Sequence, residues 1–508
     1  MIRQHGKTII WKMVFTCSIY AMFLSENLLN GADGIWNGSY LRAGNHELSL
    51  GRWALHYIDK LHFGVSTNPF TVILSLFIFV LGTEILVNIW DEKENTKEDY
   101  FISFLFLSNV IICITLFYIF TAISYALAFF LSMLCVKCIK EGTRGKINIT
   151  YLLGGAICLA FVMGLYQAYI GCILVVALGY HLLLIYRKKP VIEHVRYLGG
   201  GLFSGLIGFI IYEIILHIEL ARYGVQISNY FGGSDISFKS ILVNLPESIV
   251  KSYLYFVKYF TGELYSWTMY QSQTIKAILI LIILFLGYLF LQLWKRIRYL
   301  SILCIVEVLL IPIAVNFTLI LAPQSGIMPQ QMASLALVFP FFVKISFSMC
   351  RSKYRGWINK CLIVFFIVIL WGNIYMVQVD QGAMREGSYA VKSIGQGVLC
   401  TLAEKGYYGE EGYVFVGAPC NSSRFYANAI YWNANAYARI AGVGSSQKGF
   451  DHKTWQGIFR NLLGVELPIL DSSQYYEMEE VVNMPVYPEE GSIAVIDGIV
   501  VIKMSDIN

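Results

Sequence analysis

Charge is what this chain has least of. Asp, Glu, Lys and Arg make up 14% of its 508 residues, where soluble domains carry about a quarter. With 57% hydrophobic residues and a mean hydropathy of +0.60, the composition excludes an ordinary soluble globule and predicts a polytopic membrane protein. The motifs of soluble catalysis are missing as well: there is no phosphate-binding loop, no dinucleotide fingerprint and no HExxH helix. The eleven cysteines are scattered, mostly inside apolar runs where Cys packs as a small hydrophobe. Cys135 and Cys138 form a CxxC, but no His or second Cys pair stands near enough to complete a zinc site, so they read as helix-end cysteines. Repeats and low-complexity segments are also lacking. No small-residue cleavage site follows the first apolar run, which reads as a retained helix.

The charge that is present is unevenly placed. Residues 1–378 hold 29 Lys/Arg against 18 Asp/Glu, a balance of +11, and residues 379–508 hold 9 against 15, a balance of −6. That split suggests two compartments rather than a nucleic-acid surface. It divides the chain into a membrane part, 1–378, and an acidic tail, 379–508. About eleven apolar runs approach the roughly 20 residues a bilayer requires. They are Ile9–Leu29, Phe70–Trp90, Phe101–Phe120, Ala122–Val136, Ile149–Leu165, Ala168–Tyr186, Leu198–Leu220, Ile275–Leu293, Leu300–Leu321, Met332–Phe347 and Cys361–Val379.

Basic residues gather in one set of loops: Lys137, Lys140, Arg144 and Lys146; Arg187–Lys189; Lys295, Arg296 and Arg298; Arg351–Lys360. The positive-inside rule makes that side, and the amino terminus with it, cytoplasmic. The first outer loop (30–69), a second outer region (221–274) and the tail then face outward. The tail reads as a small α/β domain. Tyr413–Gly417 and Ser492–Lys503 have strand composition, the second a hairpin turning at Asp497-Gly498. Phe425–Ala441 and Thr454–Leu463 have helical character, and an extracytoplasmic setting would permit a disulfide between Cys400 and Cys420.

The first outer loop is the most informative stretch. Asn30–Asn68 is polar and aromatic, lies between the first two apolar runs, and holds Asp33, Glu47, Arg42 and Arg52. From Leu48 to Leu61 the spacing is helical. Arg52, His56, Asp59 and Lys60 share one face and Trp53, Ala54, Tyr57, Ile58 and Leu61 the other, which predicts a helix lying in the interface with its apolar side in lipid. The second outer region repeats the theme over Ser237–Trp267, with Lys251 and Lys258 a heptad apart among Tyr253, Tyr255, Tyr259 and Tyr265.

A long first outer loop with an acidic residue soon after the first span resembles the layout of the GT-C glycosyltransferases, which use polyprenyl-phosphate sugars. Within that superfamily, the Asn-x-x-Asp-Gly of Asn30–Gly34, followed by Gly51-Arg52-Trp53, resembles the bacterial Gtr-type glucosyltransferases that glucosylate surface polysaccharide. The stretch Gly164–Gly171 is similar to that family too. Around Gln324–Met332 the family pattern calls for a basic residue, where this chain has Gln324, Gln330 and Gln331. The resemblance implies an inverting transfer of a hexose, glucose in that family, from a polyprenyl phosphate to a surface glycan outside a bacterial plasma membrane. A separate donor synthase and flippase would supply the donor. No cofactor is required by the sequence, and a divalent cation is compatible with it.

The chemistry fits those residues. A polyprenyl phosphate leaves as a stabilised anion, so bidentate cationic stabilisation matters more than a general acid. Arg42 and Arg52 are placed for that role, with Lys251 and Lys258 as further donor contacts. Asp33 is the candidate base for the acceptor hydroxyl and Glu47 a second carboxylate. Tyr166, Gln167, Tyr169 and His56 are candidate sugar contacts. Each has a plainer reading: a turn at Asp33, a helix cap at Glu47, arginines and lysines at lipid head groups, an interfacial histidine and an aromatic belt. Inside the apolar runs, Glu213, His217 and Glu307 are functional candidates by default. Glu213 and His217 would line a cavity, and Glu307 would pair with another helix or stay protonated. Tail residues Tyr426, Tyr431, Trp432 and Tyr437, interleaved with Asn428, Asn433 and Asn435, suit sugar stacking or packing alike. A polysaccharide polymerase and a lipid-linked oligosaccharide flippase are the rival classes, though no inverted repeat supports transport.

Overall fold

The computed structural model describes residues 2–29, 33–90, 97–229, 238–261, 283, 287, 301–322, 328–349, 356–408, 412–418 and 449–506. The helices are α1 (Ile2–Ile19), α2 (Ala21–Ser25), α3 (Asp33–Asn37), α4 (Asn45–Ser49), α5 (Trp53–Leu61), α6 (Phe70–Trp90), α7 (Lys97–Leu107), α8 (Val110–Phe117), α9 (Ala122–Thr143), α10 (Ile149–Tyr166), α11 (Ile170–Tyr186), α12 (Val191–Tyr223), α13 (Phe238–Thr261), α14 (Ser301–Val315), α15 (Val338–Met349), α16 (Gly356–Glu404) and α17 (Asp451–Gly457).

Five helical stretches among the described residues are long and apolar enough to cross a membrane: Phe70–Trp90, Ile119–Thr143, Ile149–Tyr186, Val191–Tyr223 and Lys360–Glu404. A sixth arises if Glu98–Leu107 and Val110–Phe117, bent by 43°, form one span. Length and composition thus give five or six spans against the eleven expected. Shorter helices occupy Leu300–Leu321 and Met332–Phe347, and Ile275–Leu293 lies outside the described residues except for Ile283 and Gly287. The 149–186 stretch is nonetheless two arms, as its sequence suggests. Gly155 lies against Cys135 and Ile139 of α9, whereas Ser132 meets the Tyr169 carbonyl and Lys140 the Tyr180 ring. α10 therefore runs against α9 and α11 alongside it, so the chain reverses where Tyr166 leaves helical geometry (φ −163°, ψ 107°).

The bundle has two distinct ends. At one, Lys140 Nζ donates to the carbonyls of Asn88 (2.8 Å) and Ile89 (3.1 Å), and Arg187 to that of Trp90 (2.7 Å). Both cations satisfy the last carbonyls of α6 and face the negative end of its dipole. At the other end lie the 33–66 loop, the Tyr166–Tyr169 reversal and the end of α12. α1 runs between the two ends: Lys12 pairs with Glu84 (2.6 Å), and Tyr20 beyond it donates to the Leu107 carbonyl (2.8 Å). α12 buries a single stripe, His194, Tyr197, Gly200, Ser204, Gly208, Tyr212 and Leu216. Its other face, including Leu202 and Leu206, is bare and apolar, the pattern of a helix with lipid on one side.

The division expected at residue 378 falls inside α16, a continuous helix of 49 residues. The tail it enters has the expected small sheet. β1 (Tyr413–Val416) pairs parallel with β3 (Ile499–Lys503), and β2 (Ile493–Ile496) pairs antiparallel with it, giving the order β1-β3-β2. The β2–β3 turn is Asp497-Gly498, both at positive φ (52° and 78°), as a two-residue hairpin turn requires. The expected helix Thr454–Leu463 is α17 followed by a π-helical segment, Ile458–Leu463. Phe425–Ala441 with its aromatic and asparagine residues, and Cys420, lie outside the described residues.

Candidate active site

Arg52 is placed by a turn that only glycine can make. Gly51 has φ +79°, and a Cβ there would sit 2.3 Å from the Tyr212 hydroxyl and 2.8 Å from Gln167 Nε2. The tightness has a use. Gln167 Nε2 donates to the Leu50 carbonyl at 2.9 Å and the Tyr212 hydroxyl to that of Gly51 at 3.1 Å. The turn is thus tied to α10–α11 and α12, and Arg52 leaves it as the cap residue of α5. Its guanidinium lies 4.6 Å above the Tyr166 ring, and its Nε is buried with no hydrogen-bond partner. Tyr166 packs edge-on to Tyr125 at 5.0 Å and to Tyr169 at 6.1 Å, with Gln331 near its hydroxyl.

Asp33 opens α3 on the same face of the bundle. Its carboxylate feels Arg52, and both lie within electrostatic reach of Tyr125 and Tyr166. Among the described residues it makes no ion pair within 4 Å. Burial pushes its pKa above the ordinary value, against the opposing pull of Arg52 and then His46. A partly desolvated carboxylate and an unpaired guanidinium therefore share one site without neutralising each other. That arrangement suits a group that must take a proton beside one that must hold an anion.

The other sequence candidates have different surroundings. Glu47 Oε2 accepts from the Gly44 N–H at 2.7 Å, the cap of α4. Arg42 is exposed, and its Nε donates to the Phe63 carbonyl at 3.2 Å on the far rim of the loop. His56 Nδ1–H donates to the Ala43 carbonyl (2.7 Å), leaving Nε2 to accept from the Tyr223 hydroxyl (3.2 Å). It borders a small cavity with Asn45, Trp53 and Glu219. Lys251 pairs with Glu247 at 2.7 Å, and Lys258 is half-buried on the same helix. That helix, α13, packs on α14, where Tyr253 donates to the Leu309 carbonyl and Tyr259 is buried.

Two expectations are corrected. α5 does not lay its apolar side in lipid. Trp53, Ala54 and Leu55 are buried, Trp53 against Gly164 of α10, while Leu61 is 77% exposed. Asp59 points inward, because the loop's own backbone needs a partner: the Ala43 N–H donates to its Oδ2 at 2.8 Å. Burial raises the Asp59 pKa to about 6. Glu213 and His217 line no cavity either, for His217 is 70% exposed and lies 3.5 Å from Glu213 on the outer side of α12. Glu307 does pair with another helix. It contacts His181 Nδ1, and His181 Nε2 lies 3.0 Å from His194 Nδ1. Among the described residues no cluster of three or more His, Cys, Asp or Glu forms a cation site.

What sequence reasoning missed is the partner of α3. Its residues are gripped by the tail: the Trp36 indole donates to Thr454 at 3.1 Å and stacks on Phe450 at 5.7 Å. No local signal joins positions so distant in the chain. No curated protein and no solved structure matches the chain. One family model does, over residues 37–347, beginning inside α3 and ending inside α15. That span covers more than half of the protein, including Arg52, Tyr166 and the helices that carry them. The chain therefore belongs to the glucosyl transferase GtrII family and is a glycosyltransferase.

Proposed function

We propose that this protein moves a hexose, glucose as the family name suggests, from a polyprenyl phosphate to a surface glycan on the outer face of a bacterial plasma membrane. The observation that carries the reading is the Asp33–Arg52 couple: charges close enough to feel each other, neither engaged in an ion pair among the described residues, at the bundle end opposite Lys140 and Arg187. By the positive-inside rule that end is extracytoplasmic. A nucleotide sugar from the cytoplasm does not reach it, so a lipid-linked donor, made by a separate synthase and flipped, does.

Asp33 accepts the proton of the acceptor hydroxyl as its oxygen forms a bond to the anomeric carbon. The bond from that carbon to the phosphate oxygen breaks, and its electron pair stays on the phosphate. The leaving polyprenyl phosphate gains negative charge, which Arg52 meets with its unpartnered Nε–H. Stacking on Tyr166 fixes the guanidinium plane before the donor arrives. Attack from the side opposite the phosphate inverts the anomeric centre. Tyr166, Tyr169 and the neutral Gln331 are the candidates to contact the sugar, with Gln167 and His56 holding the loop beside them. Glu47, Arg42, Lys251 and Lys258 are assigned no part in the bond-breaking step.

The test is transfer by purified protein from a radiolabelled polyprenyl-phosphate glucose to cell-envelope glycan. Asp33→Asn is expected to lower turnover by about 10²–10⁴-fold while inserting and folding normally. Full activity in that variant would sink the assignment of the base. Folded wild-type protein that turns over no polyprenyl-phosphate sugar would sink the donor class and favour a polymerase or flippase.

A further inference from the structure

We infer that the C-terminal domain is a positioning part of the transfer site, because its residues Arg460 and Asn461 complete the short helix that presents Asp33. α3 has five residues, and a helix that short does not hold itself together in water, since nucleation is unfavourable and few hydrogen bonds follow it. Its last four carbonyls need partners from elsewhere.

Three of them, those of Gly34, Ile35 and Trp36, have partners among the described residues. The Gly38 N–H donates to that of Gly34 at 2.8 Å, while Asn37 Nδ2 reaches back to the carbonyl of Asp33, the first residue of the helix, at 2.8 Å. The remaining two are met by the tail. Asn461 Nδ2 donates to Ile35 at 2.6 Å and to Trp36 at 3.3 Å, and Arg460 donates to Trp36 at 3.0 Å. Two carbonyls of α3 are thus capped from more than 400 residues away in sequence.

The two surfaces approach through glycines. A Cβ on Gly38 would lie 2.6 Å from Asn461 Cγ, and one on Gly457 would lie 2.5 Å from the Ile35 carbonyl oxygen. Trp36 closes the seam, with Phe450 stacked on its ring and the Lys453 ammonium 5.6 Å from its centre. Neither Asp33 nor the tail falls within residues 37–347, the part matched by the family model. The two regions outside that match meet each other.

The inference rests on Asp33 being the base, and its test separates the two ideas. Full-length protein would carry Asn461→Asp, which keeps the shape and replaces the donor with an acceptor. Gly457→Ala, which favours its own helix yet intrudes on the Ile35 carbonyl, serves as the second variant. Hydrogen exchange of residues 33–38 and of the tail would be followed together with kcat and KM for the lipid donor.

Both variants are expected to speed exchange in α3 with the tail still protected. They should lower kcat by roughly 10- to 100-fold and leave KM for the donor nearly unchanged, since Arg52 is held by a different turn. Normal kcat in both variants, with Asp33→Asn inactive, overturns the clamp and spares the base. Unchanged exchange in α3 also overturns the clamp. An active Asp33→Asn overturns the base and the positioning role with it, whatever the exchange result.

Discussion

Among individual residues, hydrogen-bond occupation separates the carboxylates that sequence alone makes look alike. Glu47 caps its helix and Asp59 accepts from the loop backbone, whereas among the described residues Asp33 accepts nothing through its carboxylate; desolvation raises the pKa of both aspartates above the ordinary value. A raised pKa makes a stronger base that is lost sooner on acidification. As the base, Asp33 must be ionised, so kcat is expected to fall as pH drops through its raised pKa. The acid limb should stand above the usual carboxylate value of about 4. A pH profile of single-turnover transfer checks this, and a limb at or below pH 4 would speak against Asp33. The arginines divide in the same way, Arg52 stacked on Tyr166 with a bare Nε and Arg42 engaged with the Phe63 carbonyl. Residue type and loop membership were legible in the sequence. Which side chain was already occupied was not, because occupation depends on backbone groups that only the folded loop brings near.

Among the helices, close approach is set by small residues on the buried stripe of α12. A Cβ on Gly208 would lie 2.7 Å from the Ala156 carbonyl oxygen of α10, whereas Gly205, one turn away on the bare face, has open space around it. Gly208→Val is therefore expected to force α10 and α12 apart and destabilise the detergent-solubilised protein by about 1–3 kcal/mol. Gly205→Val should be close to neutral, and thermal unfolding of the two compares them directly. Equal melting temperatures would mean that α12 is not held by this contact. The apolar runs were legible because hydrophobic length is a local property, and the break at Tyr166–Gln167 was readable for the same reason. The orientation of α5 was not. Its polar residues were expected to face water, and Asp59 turned inward because an N–H in the loop needed an acceptor.

For the molecule as a whole, the bundle and tail are one assembly with two chemically different ends. The basic loops that hold Lys140 and Arg187 lie at one end and the Asp33 loop with its tail at the other, which predicts opposite sides of the membrane. Cys400 is exposed near the end of α16. In intact cells a membrane-impermeant thiol reagent should label Cys400. It should label a cysteine introduced by Lys146→Cys only after permeabilisation. Labelling of both in intact cells would overturn the orientation. The acidic tail and its hairpin were legible in composition and in Asp497-Gly498. Its docking on α3 was not, since that contact is made by ordinary Asn, Arg and Trp residues with no periodicity to mark them.

The unbroken α16 turns the connection between bundle and tail into a matter of angular phase. Gln381 is fastened to α1, donating to the Ile19 carbonyl at 2.9 Å, while Gly395 on the same helix sits directly against Leu463 of the tail. Each added residue turns a helix by about 100° and lengthens it by about 1.5 Å. One residue inserted between those two points would swing the tail's contact surface by more than a quarter turn, although no contacting side chain had changed. The tail is consequently not a cassette to be exchanged at any convenient junction. A chimera with a related tail inherits its register only if the number of residues between the two fastenings is kept.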